Sequence, residues 1–477
     1  MNFRMIKNIT GWLLLFEALF LCVPTLTAAI YRERVVWYYL LTALFCGGIG
    51  LLLAWKKPKN TVLYAKEGFV IVSLSWILLS LFGCLPLWLC GDIPSFVDAL
   101  FETVSGFTTT GASILPDVEH LSHASQIWRS FTHWVGGMGV LVFIMAFVPL
   151  SGGQNMHIMK AESPGPSVSK LVPRVKTTAL ILYALYFFMT LLEFIFLLFG
   201  KMNPFEALNT AFSTAGTGGF GLRNDSLGGY SSYIQSVVTV FMLLFSINFS
   251  CYYLLLLGRL KDAFNAEVRT FLLIVAGAIA VVTVNIRSLF PSIRDALHHA
   301  AFTVASLIST TGFSTADFDL WPTLSKTVLV MVMFIGACAG STGGGIKVSR
   351  IIILCKGMIR ELDNLVHPHR VRKVTMDGQP VDAEVVRSVN VFMVCYLAVF
   401  SVSLLLVSLD NFDLVTNFTA VTATINNIGP GLSLVGPTQN FSLFSVPSKL
   451  VLIFDMLAGR LELFPMLALF TPSTWKK

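Results

Sequence analysis

Long apolar stretches separated by short polar ones dominate this chain. Runs of roughly 20 apolar residues, the length that crosses a hydrocarbon core, fall near 9–30, 35–55, 68–90, 126–150, 177–200, 233–258, 267–287, 386–409 and 446–471. One more, 325–359, is interrupted in its middle, so ten crossings are expected. Four Thr- and Gly-rich stretches interrupt this pattern in matching register: ALFETVSGFTTTG (99–111), ALNTAFSTAGTGG (207–219), AAFTVASLISTTG (300–312) and NFTAVTATINNIG (417–429). Aligned on the last glycine, the residue six positions earlier is Ser105, Ser213, Ser306 and Ala423. Each unit reads as helix, short helix, loop, helix. The short helices are expected to start at Pro94-Ser95, Asn203-Pro204, Pro291-Ser292 and Asn411, where Ser and Asn offer capping oxygens and Pro tolerates a first turn.

Segments of about ten residues are too short to span and suit a hairpin that dips into the bilayer. The C-terminal end of such a helix carries a partial negative charge that favours a cation. The residues after it can turn carbonyls inward to replace an ion's water, and glycine permits the backbone angles this needs. Four matched hairpins meeting on an axis predict an ion pore, since packing alone requires no such matching. The expected fold is an all-α integral membrane protein of four tandem helix–pore-helix–filter loop–helix repeats around one pore, preceded by two extra helices. Its segments are 1–66, the repeats 67–176, 177–266 and 267–385, with an intramembrane loop at 336–346, and the repeat 386–477.

Composition sharpens the membrane reading. Of 477 residues, 55% are hydrophobic and 12% charged, with mean hydropathy +0.75, too little charge for a soluble surface of this size. With the N-terminus inside, the interior face collects Arg4, Lys7, Lys56, Lys57, Lys59, Lys66, Lys160, Lys170, Arg174, Lys176, Arg259, Lys261 and Arg269. It also collects Lys347, Arg350, Lys356, Arg360, Arg370, Arg372, Lys373, Arg387, Lys476 and Lys477. Arg32, Arg34, Arg129, Lys201, Arg223, Arg287, Arg294, Lys326 and Lys449 fall outside. Both termini are therefore expected in the cytoplasm, and the net charge of +7 requires no nucleic acid. The apolar run after Arg4 and Lys7 leads straight into a second crossing and is read as an uncleaved helix. The eight cysteines show no metal spacing and read as core residues without a disulfide.

Several motifs carry chemistry or imitate it. Gly216-Thr217-Gly218-Gly219-Phe220-Gly221 matches the dinucleotide fingerprint but lacks its strand–turn–helix setting. Five glycines within 336–345 cannot form a stable helix interior at about 1 kcal/mol each, so this stretch is expected to be an unwound intramembrane loop. A phosphate loop is excluded because Ile346 separates Gly345 from Lys347. Arg460 lies in an apolar helix, where a central arginine costs about 2.5–3.5 kcal/mol on insertion scales. An ion pair with Asp455 or Glu462 is one explanation, a place at the pore another. Glu17 and Glu193 are assigned to helix packing, as is the smooth face of Gly136, Gly137 and Gly139. The segments 161–173 and 367–373 read as cytoplasmic contacts for anionic lipid or a soluble partner.

Taken together, TTTGAS (108–113), STAGTGGFG (213–221), ISTTGFSTADF (308–318), INNIGPGL (425–432), HWVGGMGV (133–140), GSTGGGIKVSR (340–350) and GRLELFP (459–465) resemble the TrkH-type subunits of the Trk/Ktr potassium transporter superfamily. The resemblance covers nearly the whole chain. It implies potassium uptake across the cytoplasmic membrane, with one filter glycine per repeat at Gly111, Gly219, Gly312 and Gly429. Potassium would meet the carbonyls of Thr109, Thr110 and Gly111, of Thr217, Gly218 and Gly219, of Thr310, Thr311 and Gly312, and of Asn427, Ile428 and Gly429. It further implies a gate of Gly340, Ser341, Thr342, Gly343, Gly344 and Gly345 with Arg460 as an electrostatic barrier. A homodimer with one pore per protomer and a TrkA-like cytoplasmic nucleotide-binding ring are the implied partners. The fourth filter, with Asn426-Asn427-Ile428, makes the site quasi-fourfold. A secondary transporter with alternating access, coupled to sodium or protons, remains the alternative. An intramembrane enzyme finds no supporting motif and no cofactor is expected.

Overall fold

The computed structural model describes residues 1–56, 64–139, 175–368 and 373–475. Part of the 126–150 crossing, the segment 161–173, most of the basic stretch 367–373, and Lys57, Lys59, Lys160, Lys170, Arg174, Arg370, Arg372, Lys476 and Lys477 lie outside the described residues.

Six helices there are long and apolar enough to cross a membrane: Phe3–Ile30, Val36–Ala54, Lys66–Leu89, Thr177–Phe199, Ala266–Leu289 and Ala383–Asp410. Their outer faces carry exposed Leu44, Leu52, Leu273, Val284, Leu397 and Leu405, an apolar belt that suits lipid better than water. The first two helices approach closely at Gly11 and Gly50, where a Cβ on Gly50 would lie 2.9 Å from the Gly11 carbonyl oxygen.

Three more of the expected crossings are broken among the described residues, and sequence periodicity anticipated this only for 325–359. Ser232–Phe245 turns by 91° into Phe249–Leu256. Thr323–Ile335 is followed by the loop 336–347 and then Val348–Val366, and Val446–Arg460 by a turn and Phe464–Phe470. Within the described residues His123–Gly137 ends at Gly137. His123–Gly137, Ser232–Phe245, Thr323–Ile335 and Val446–Arg460 each follow a short helix in the chain.

The four short helices are Phe96–Phe107, Pro204–Ala215, Ile293–Ile308 and Leu414–Ile425. Ser95, Asn203 and Ser292 cap the first three by accepting from the amides of Asp98, Phe205 and Asp295. The fourth is capped by Asp413, which accepts from the Thr416 amide, rather than by Asn411. Asn411 sits two residues upstream at φ +59°, ending the preceding 3-10 turn.

Each short helix packs against the helix that follows it and against the corresponding helix of the previous repeat. The first meets Val446–Arg460 of the fourth repeat, the second His123–Gly137, the third Ser232–Phe245 and the fourth Thr323–Ile335. The ring thus closes within one chain. One departure from an all-α fold is a two-residue antiparallel ladder, Thr375–Met376 with Gln379–Pro380. Its turn residues Asp377 and Gly378 both have positive φ (+49° and +78°), as the tight Asp-Gly hairpin turn requires.

Candidate functional site

The four short helices end alike. In each, a residue with left-handed backbone follows the last turn: Thr109, Thr217, Thr310 and Asn427, with φ between +54° and +58°. The next amide reaches back five residues, Thr110 to Ser105 (2.9 Å), Gly218 to Ser213 (2.9 Å), Thr311 to Ser306 (2.8 Å) and Ile428 to Ala423 (2.8 Å). This is a Schellman ending with a side-chain-bearing residue where glycine is usual. Left-handed backbone at a non-glycine residue costs about 1–3 kcal/mol and persists only where its surroundings impose it.

Two residues further on, Gly111, Gly219, Gly312 and Gly429 again have positive φ (+79°, +77°, +86° and +100°). Alternation of backbone hand at successive residues turns neighbouring carbonyls toward the same side, whereas an extended strand alternates them. Three consecutive carbonyls per loop can therefore face one axis.

The loops touch in cyclic order. A Cβ on Gly111 would overlap the carbonyl oxygen of Gly218, one on Gly219 that of Thr311, and one on Gly312 that of Ile428. One on Gly429 would lie 2.9 Å from that of Thr110, closing the circle. The structure thus brings all twelve sequence-predicted filter residues into a single collar. A cavity of about 140 Å³ on one side of it is lined by all four glycines together with Arg129, Asn224 and Asn440. Near this cavity the Asn224 side-chain amide donates to Asp117 and holds its carboxyl below the usual range.

Side chains brace the collar, most of them unforeseen. Ser213 and Ser306 donate to the carbonyls of Phe220 (3.0 Å) and Phe313 (2.6 Å), just past the second and third glycines. Ala423 has no such group, and the fourth loop uses Asn427 instead, whose amide donates to Thr110 Oγ1 (2.9 Å) and the Met456 carbonyl (2.8 Å). Asparagine also tolerates left-handed backbone better than most residues, which accounts for its place there.

His133 Nδ1 lies 2.7 Å from the Gly106 carbonyl, while Nε2 accepts the Phe220 amide at 3.3 Å. The buried ring therefore carries its proton on Nδ1 and joins the first short helix to the second loop. Glu102 accepts from Arg129 at 2.7 Å, from the Ile114 amide and from Ser113, and Arg129 lies over the Phe220 ring. Sequence reasoning counted Arg129 as an outer-face charge; it is buried in this pair. Of these residues only His133 lay in a motif the sequence singled out, HWVGGMGV. Breaking a buried pair by removing one partner costs about 3–5 kcal/mol. Glu102→Ala and Glu102→Gln both leave Arg129 without its carboxylate and are therefore both expected to lower the unfolding midpoint of the detergent-solubilised protein; a parental midpoint in Glu102→Gln would remove the ion pair from the account.

On the opposite side of the collar lies the glycine-rich loop. The Gly344 amide donates to Thr310 Oγ1 (2.6 Å) and the Gly345 amide to the Asn426 carbonyl (3.1 Å). A Cβ on Gly343 would lie 2.8 Å from the Ser309 carbonyl oxygen. Gly340 and Ser341 sit farther along, where the Phe249 amide donates to the Gly340 carbonyl at the bend of the second repeat. Lys347, at φ +82°, is buried and donates to the Gly343 carbonyl.

Arg460 terminates its helix and donates to the carbonyls of Thr342 (2.8 Å), Gly136 and Gly137 (2.8 Å). It thereby joins the loop to the C-terminal end of His123–Gly137, where helix carbonyls favour a cation. The two carboxylates weighed as its partners are engaged elsewhere, Asp455 with Ser403 and Glu462 with Arg350. Gly136 packs against the Phe107 carbonyl, so the smooth glycine face brings usable carbonyls beneath the collar as well as permitting close packing. Glu17 and Glu193 are fully buried, Glu193 beside Thr214 near the end of the second short helix and Glu17 beside Gly83, which packs on the first.

Comparison with known proteins bears on this arrangement. A family model described as TrkH, cation transport protein, matches residues 39–477. The chain belongs to the TrkH family. It is 35% identical to the Trk system potassium uptake protein TrkH of Escherichia coli strain K12 over the whole of both chains. It is 32% identical to TrkG of the same strain over 99% of each. The crystal structure of the potassium transporter TrkH from Vibrio parahaemolyticus matches all of both chains with a TM-score of 0.90 at 33% identity. TrkH membership and the six apolar spans make this an integral membrane protein of a transport family, in keeping with the fold expected from the sequence.

Proposed function

We propose that this chain takes up potassium across the cytoplasmic membrane through a pore formed within a single chain. The observation that carries this reading is the closed collar of four loops, each with left-handed residues at the same two positions. Thr109–Gly111, Thr217–Gly219, Thr310–Gly312 and Asn427–Gly429 serve as the filter, their carbonyls standing in for the water of a bare cation. The loop 340–345, hydrogen-bonded to the inner side of this filter, is the gate, and Arg460 is a positive charge in the path of the ion. Both termini lie in the cytoplasm, so the gate faces a TrkA-like nucleotide-binding ring that controls it. Two such chains pair, each keeping its own pore, because four repeats already complete one axis. The segments 1–66, 67–176, 177–266, 267–385 and 386–477 are the corresponding structural units.

Purified protein in liposomes tests the reading. Rubidium uptake should exceed sodium uptake and proceed down the rubidium gradient alone. Uptake that requires an imposed sodium or proton gradient would replace the pore by the coupled transporter. Four repeats running in one sense around the ring argue against the inverted halves that often accompany alternating access.

A further inference from the structure

Glu267 is a carboxylate buried to 5% exposure in the first turn of Ala266–Ile286. One of its oxygens, Oε1, accepts from two amides, Ala339 at 2.7 Å and Ser349 at 3.1 Å. These residues bracket the segment 340–345: Ala339 lies immediately before it, in the unwound stretch after Thr323–Ile335, and Ser349 lies in the first turn of Val348–Val366. A single side chain therefore closes the loop into a ring from outside it. Ser349 lies in a first helical turn, where free amides favour a carboxylate.

The same helix end is held from the cytoplasmic side. The Ala266 amide, one residue before Glu267, donates to Asp377 Oδ1 at 2.7 Å, and Arg269 lies 3.6 Å from that carboxylate. Asp377 is the first turn residue of the short β-hairpin, and Lys356 Nζ ties the hairpin to Val348–Val366 through the Thr375 carbonyl at 2.7 Å. An exposed turn is thus linked through one helix end to both ends of the loop.

We propose that Glu267 is the positioning residue that clamps the glycine-rich loop beneath the filter, and that the hairpin turn at Asp377 is the handle on that clamp. The proposal rests on reading the loop as the gate. Displacing the turn, by a partner bound to the hairpin or otherwise, frees the helix end at Ala266 and slackens the grip of Glu267 on both ends of the loop. The handle is the weaker element, since the Arg269–Asp377 pair is solvent-exposed and contributes little.

Cys338, buried next to Ala339, reports loop position directly. In the full chain with the other seven cysteines replaced by alanine, maleimide labelling of Cys338 and rubidium flux in liposomes are measured together. Glu267→Ala should speed labelling and flux by at least about tenfold, the factor that matches loss of just one of its two charge-assisted hydrogen bonds. Glu267→Gln keeps the accepting oxygen and should stay much nearer the parent. Asp377→Ala should speed labelling less than Glu267→Ala, and combining the two should add nothing further, because the turn acts through the glutamate. Parental labelling in folded Glu267→Ala overturns the clamp, and additive effects overturn the handle. If Glu267→Ala does not fold, parental labelling in both Glu267→Gln and Asp377→Ala overturns the proposal, while faster labelling in Asp377→Ala supports it. Deleting 340–345 separates the two readings: raised flux there with parental labelling in Glu267→Ala rejects the clamp and keeps the gate. Unchanged flux on deletion rejects the gate, and the clamp is then judged on labelling alone.

Discussion

Gly312→Ser is expected to abolish most of the preference for potassium over sodium while leaving the protein folded. A Cβ at this position would overlap the Ile428 carbonyl and lie 2.8 Å from Pro430 Cδ, on a backbone with φ +86°. The strain of an L-residue in that region is about 1–2 kcal/mol. Relief requires the third loop to rotate or the fourth to retreat, and either movement withdraws carbonyls from the axis. A loss of roughly 1.4 kcal/mol in relative preference lowers the rubidium-to-sodium uptake ratio about tenfold. Gly429→Ser should be milder, since its nearest neighbour in the ring, the Thr110 oxygen, stands at 2.9 Å and needs to give way less than the Ile428 oxygen does for Gly312. Matched uptake of the two ions measures both variants. An unchanged ratio in folded Gly312→Ser would remove the four-loop collar from ion selection.

Arg460→Ala should raise cation flux, and deletion of 340–345 should raise it further and weaken its dependence on any cytoplasmic partner. Two effects act together at Arg460. Its guanidinium places a positive charge beneath the collar, in surroundings where repulsion of a cation is less screened than in water. It also grips the Thr342 carbonyl while anchored on Gly136 and Gly137, so its removal loosens the loop from the first repeat. Arg460→Lys separates the effects, because it keeps the charge but cannot span three carbonyls with a planar fork. Flux that stays low in Arg460→Lys and rises in Arg460→Ala assigns the block to charge; a rise in both assigns it to the loop. If Arg460→Ala only lowers the yield of folded protein, with no gain in rubidium flux per molecule, Arg460 is scaffold.

Much of this was legible in the residues. Four matched stretches announced four equivalent hairpins, because short amphipathic helices ending in Thr and Gly have few other uses within apolar sequence. Serine and asparagine before three of them marked true caps. The glycines of 336–345 announced an unwound segment, since no helix interior tolerates so many. The breaks at Ser246 and after Arg460 were hidden, because apolar runs resume within a few residues on either side of them and freed carbonyls leave no trace in side-chain type. Those carbonyls matter: Ser246 accepts from the Cys338 amide, and Phe245 from Thr342 Oγ1, so the bend of the second repeat becomes a seat for the loop of the third.

Sequence alone determined the membrane class, the four repeats and the register of their glycines, since these follow from hydropathy, short-range capping and backbone permissiveness, all of which are local. Tertiary structure decided which groups meet. The partners of Arg460, the burial of Arg129 against Glu102, the proton position on His133 and the double grip of Glu267 join residues from about 27 to more than 300 positions apart in the chain. Charge type can be read from a single residue. Whether that charge is paired, left to carbonyls or aimed at an ion depends on which distant backbone closes around it.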